Sequence, residues 1–157
     1  MTDLKCQTLD DANAVVAFVR GGGLPALVQT AGNVFPMNLN GLTLVVKIST
    51  DGGATYPTTR THTFTGLDPF NDIATVVAEI VADAVFMSTD LVVYAVGNEL
   101  VVRTKVAGNK ALKVDAASTG IGAAVLQFLA NQVGNGSVTT VISVVQDNSG
   151  KFVLFFT

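Results

Sequence analysis

Leu91-Val92-Val93-Tyr94-Ala95-Val96-Gly97-Asn98-Glu99-Leu100-Val101-Val102-Arg103-Thr104-Lys105 is the stretch that decides the fold. Two runs rich in β-branched residues flank Gly97-Asn98, a dipeptide that tolerates positive φ and so suits a tight hairpin turn. Residues 91–96 and 100–105 therefore read as paired strands. After a second break at Gly108-Asn109, residues 111–115 read as a third antiparallel strand.

Working outward toward the N-terminus, residues 42–49 alternate, with Leu42, Leu44, Val46 and Ile48 on one face and Thr43, Lys47 and Ser49 on the other. Asp51-Gly52-Gly53 follows, then a Thr-rich run at 59–65, so the two runs predict a hairpin with a long loop. Asp68-Pro69 signals a helix start, with a carboxylate to cap free N–H groups and a proline suited to the first turn. Ile73, Val76, Val77 and Ile80 make its apolar stripe, which predicts one main helix over about 69–83 that packs on the sheet.

Residues 8–20 carry helical spacing ended by Gly21-Gly22-Gly23, and residues 26–30 and 34–37 are short extended pieces. Residues 121–129 predict a short helix. Residues 137–146 and 151–157 flank Asp147-Asn148-Ser149-Gly150 as a final hairpin. The expected fold class is α+β, mostly β, an antiparallel sheet or β-sandwich with one main helix and peripheral N- and C-terminal elements. A chain of 157 residues fits a single domain, divided into an N-terminal helix or arm (1–40), a β-hairpin–helix–β core (41–130) and a C-terminal hairpin (131–157).

Phe152, Leu154, Phe155 and Phe156 make the last strand apolar on both faces, an aggregation hazard on an open edge. These residues are the expected partner contacts. Composition points the same way, because hydrophobic residues are 49% and charged residues 13% of the chain. The latter is about half the usual share of roughly 25%, which leaves little charge to cover a free monomer.

Apolar runs are far shorter than the roughly 18 residues that a membrane span needs, so the surplus apolar surface is expected to meet protein rather than lipid. Nine scattered Lys and Arg against a net charge of −3 offer no stripe for phosphates, so no nucleic-acid partner is expected. The start, Met1-Thr2-Asp3-Leu4-Lys5-Cys6, lacks the pattern of a secretion signal, which predicts synthesis in a cytoplasm. One cysteine forms no internal disulfide.

From 42 to 128 the order is strand, Gly-rich turn, Thr-rich strand, helix, two strands around Gly-Asn, strand, then a small-residue helix ending in Phe. It is carried by Leu44-Val45-Val46 with Asp51-Gly52-Gly53, residues 61–65, Ala78-Glu79-Ile80, residues 99–104, Gly108 and residues 121–128. This order resembles a module of tailed-phage virion proteins and, in related form, of flagellin-type proteins. Where that module commonly has Ala-Ile-Asn and Leu-Gly-Phe, this chain has Ala78-Glu79-Ile80-Val81 and Leu126-Gln127-Phe128. The resemblance implies a virion structural role in decorating a capsid or contributing to a tail or connector, with copies of the chain and a capsid or tail protein as partners and a closed homo-oligomer such as a trimer.

Sites for chemistry are sparse. Ser49-Thr50-Asp51-Gly52-Gly53-Ala54-Thr55-Tyr56 resembles the Asp-box hairpin of sialidase-like propellers, in which Ser49 and Asp51 bond nearby backbone, Gly53 supplies positive φ and Tyr56 closes the turn. A structural turn is the expectation, and carbohydrate binding through Tyr56 and Tyr94 is the alternative. His62 is the single histidine, with no second histidine or thiol near it in sequence, so no metal site is expected. Asp10-Asp11 and Asp68 with Asp72 read as helix caps rather than calcium ligands. Gly21-Gly22-Gly23 lacks the Lys-Ser/Thr of a phosphate loop, and Ser118, Ser137 and Ser149 lack an elbow motif. No catalytic residue and no cofactor are expected.

Overall fold

The computed structural model describes residues 3–6, 24–66, 68–123, 125–137, 141–146 and 152–156, the strands within 3–6, 141–146 and 152–156 by their backbone alone. In chain order the elements are β1 (Asp3–Cys6), β2 (Leu27–Gln29), β3 (Thr43–Ser49), β4 (Thr58–Thr63), α1 (Ile73–Ala82), α2 (Ala84–Met87), β5 (Leu91–Val96), β6 (Glu99–Thr104), β7 (Ala111–Val114), β8 (Val133–Asn135), β9 (Val141–Gln146) and β10 (Phe152–Phe156). The α+β, mostly β class is the one that forms.

Two compact units divide the chain, one of residues 25–136 and one that joins residues 1–24 to 137–157. Residues 25–40, grouped with an arm in the sequence reading, thus belong to the larger unit. The predicted helix at 8–20 lies outside the described residues.

In the larger unit, β5 and β6 form the expected hairpin, with Val96 opposite Glu99 and Gly97 at φ +58. Antiparallel pairing extends this to the sheet β2-β6-β5. The second sheet is β4-β3-β7-β8. Here the structure departs from the three-strand succession read from the sequence: β7 pairs with β3, Lys47 opposite Lys113, because β2 already occupies the second edge of β6.

One core serves both sheets and the helices. Leu44, Val46 and Ile48 turn inward from β3, as their alternation requires, and share one buried cluster with Val28, Val93, Leu100 and Val102 of the other sheet. Removing side chains of this size from water contributes about 1.5–3 kcal/mol each. β8 crosses β2 so closely that Gly134 rests on the backbone of Leu27.

The main helix starts later than its sequence signal. Asp72, not Asp68, caps α1, accepting from the Thr75 N–H at 2.8 Å. Asp68 instead accepts from Leu39 and Asn40 N–H, and Phe70 bridges to Met37 through two backbone hydrogen bonds of 2.9 and 2.8 Å. Ile73, Val76 and Ile80 bury the stripe read from the sequence.

The short helix predicted over 121–129 does not form among its described residues. Gly122 takes φ +120, and its N–H donates to the Leu126 carbonyl, closing a turn that buries Leu126 and Phe128. Asn33 Oδ1 accepts from the Gln127 N–H at 3.1 Å, so a distant side chain satisfies a group that a helix would have paired locally.

In the smaller unit, β9 and β10 form the expected final hairpin. β10 is not an edge, because β1 pairs with its other side, placing Leu4 opposite Leu154.

Candidate functional site

Three places carry the features that the sequence singles out. The first is the turn between β3 and β4. The Ser49 hydroxyl donates to Asp51 Oδ1 at 2.5 Å and accepts from the Gly53 N–H at 2.8 Å. Asp51 also accepts from the Thr55 N–H and hydroxyl at 2.9 and 2.6 Å. The hydrogen bond from Ser49, then those from Thr55, hold the Asp51 carboxyl well below the usual carboxylate range.

Gly52 and Gly53 take φ +74 and +94, and a Cβ on Gly53 would meet the Tyr56 hydroxyl at 3.2 Å. Ser49, Asp51, Gly53 and Tyr56 therefore sit together. The polar groups of Ser49 and Asp51 are spent on the turn, and the Lys113 ammonium lies 6.0 Å from the centre of the Tyr56 ring.

The second place is a polar seam between β4 and the segment that holds both helices. His62, only 3% exposed, points inward from β4 with its ring edge-on to Phe64 at 4.6 Å and to Phe86 at 5.8 Å. Its Nδ1 lies 2.9 Å from Asp83 Oδ2, and its Nε2 lies 3.9 Å from Glu79 Oε1. Asp83 sits between α1 and α2 and accepts from the Val85 and Phe86 N–H groups at 3.0 and 2.9 Å. The hydrogen bond with His62, then that from Phe86, holds its carboxyl below the usual range.

Glu79 Oε1 accepts from the Thr65 and Gly66 N–H groups. Nearby on β4, the Arg60 guanidinium donates to Asp90 at 3.0 Å. The histidine–carboxylate pair has the components of a general base, but burial of the ring keeps substrate from Nε2. What the seam does is hold β4 to the helical segment. Sequence reading placed His62 in isolation, because its partners lie 17 and 21 residues further on and no local pattern marks them.

The third place is apolar surface. An open depression of about 210 Å³ is lined by Ala31, Gly122, Ala123, Gln127, Phe128 and Leu129. Leu129 is 73% exposed, and Val34 and Val85 elsewhere on the larger unit are 71% and 79% exposed. Of the expected partner contacts, Phe152, Leu154, Phe155 and Phe156 lie on β10, whose two edges are taken by β1 and β9. Their side chains lie outside the described residues. No cluster of three or more metal-ligating side chains occurs among the described residues, and no described helix is long and apolar enough to cross a membrane.

Comparison with known proteins gives no match to a family model, to a curated protein or to a solved structure.

Proposed function

We propose that the chain is a structural component of a phage particle that stabilises an assembly by self-association and by contact with a capsid or tail protein. The observation that carries this reading is the open apolar depression with Leu129 on its rim, on a chain whose charged residues are only 13%. Burying such surface between subunits contributes about 25 cal/mol per Å², before the ordering cost of association. Repetition by symmetry multiplies that gain.

The element order β3, Gly-rich turn, β4, α1, α2, β5, β6, β7 supports the resemblance to the phage module, with α2 added after the module's helix and its last helix replaced by the turn at Gly122.

The solution mass of the purified chain, followed by light scattering over a range of concentrations, tests the proposal. A closed oligomer that Leu129→Lys weakens is the expected result. A monomer at every concentration, with glycan binding that Tyr56→Ala abolishes, would replace it with the carbohydrate-binding alternative.

A further inference from the structure

The two sheets of the larger unit are joined differently on their two sides. On one side β8 crosses β2 in direct backbone contact. On the other side β4 and β5 are not hydrogen-bonded to each other, and α2 touches both strands while α1 packs on β5 and β6. The links across that gap are side-chain links: Arg60 to Asp90, His62 to Asp83, and Glu79 to the Thr65 and Gly66 N–H groups.

Among the described residues, the buried side-chain atoms without a hydrogen-bond partner are Arg60 Nε, His62 Nε2 and Glu79 Oε2. All three lie on this seam. An unsatisfied buried polar atom is costly, and opening to water relieves the cost, so the seam is the least satisfied part of an otherwise apolar and paired interior.

The ends of the helical segment suit a hinged piece. Its N-terminal end is fixed by the backbone bridge of Phe70 to Met37. At its other end Ser88 takes φ +44, a strained conformation for a residue other than glycine.

We propose that residues 72–90 form a strap, held across the β4–β5 gap by the Arg60–Asp90 and His62–Asp83 contacts, which opens as a unit while both sheets stay paired. Its apolar anchors, Val76, Ile80 and Phe86, keep the closed state dominant. Release uncovers the sides of β4 and β5 that carry no strand partner. This inference is independent of the proposed virion role, since it concerns opening within one chain.

Amide hydrogen exchange of the full chain in native buffer, resolved by residue, tests it. The N–H groups of residues 77–82 are expected to exchange through a shared opening at least tenfold more frequent than that of β3 and β6. Asp83→Asn is expected to raise that frequency at least another tenfold and to keep it at least tenfold above that of β3 and β6. Arg60→Gln serves the same purpose if Asp83→Asn does not fold. Exchange of 77–82 only together with β3 and β6 would overturn the strap, and strap exchange indifferent to the folded variants would overturn its being held by these two contacts.

Discussion

Asp83 Oδ2 lies 2.9 Å from His62 Nδ1, and through this contact one carboxylate joins β4 to both helices. The same side chain caps α2 through the Val85 and Phe86 N–H groups, while the Asp83 backbone N–H closes α1 on the Ile80 carbonyl. Its carboxyl is held below the usual range, first by His62. A depressed folded-state pKa means that the contribution is complete above the unfolded value of about 3.9 and is lost as pH falls through the folded value. Asp83→Asn should therefore cost about 1.5–3 kcal/mol at pH 7, and the gap to the parent should shrink below about pH 4. Urea unfolding at a series of pH values measures it, and a gap that widens toward acid would refute the assignment.

Ser49 sits fully buried under the β3–β4 turn, with its hydroxyl engaged by Asp51 and by the Gly53 N–H. Ser49→Ala strands that N–H and should cost about 1–3 kcal/mol. Ser49→Thr keeps the hydroxyl and serves as the comparison. Thermal unfolding of the two variants side by side gives the result, and equal melting temperatures for Ala and parent would show that the turn does not depend on this group.

Gly134 and Gly32 make a matched pair. A Cβ on Gly134 would overlap the Leu27 backbone where β8 crosses β2, whereas one on Gly32 meets nothing within 4 Å. Gly134→Ala should destabilise by about 2 kcal/mol or more through enforced separation of the strands, and Gly32→Ala should change little. Chemical denaturation of both variants tests the crossing, and a tolerated Gly134→Ala would mean that β8 and β2 do not meet this closely.

β10 is paired on both edges, by β1 and by β9. Deleting residues 1–6 removes β1 and leaves Phe152–Phe156 with an unpaired edge of high β-propensity, a template for association between chains. The shortened chain should show light scattering that rises with concentration beyond that of the parent. Unchanged scattering would indicate that the β1 pairing does not protect this strand.

Much of the fold was legible because its signals are local. The Gly97-Asn98 hairpin needs only a dipeptide that accepts positive φ, and the inward face of β3 follows from alternation along seven residues. The turn at Ser49 and Asp51 is closed by partners within four positions. The polar seam was not legible, since His62, Glu79 and Asp83 come together only when β4 packs against the helices.

By itself the sequence determined the mostly β class, the hairpins and the apolar stripe of α1, since each depends on side-chain periodicity or on backbone freedom within a few residues. Tertiary structure alone decided that β7 pairs with β3, that Asp72 rather than Asp68 caps α1, that residues 121–129 turn around Gly122, and that β10 is a central strand. For β7, Asp68, residues 121–129 and β10 alike, the partner that satisfies the backbone or carboxylate groups lies far away in sequence, in β3, at Leu39 and Asn40, at Asn33 and in β1.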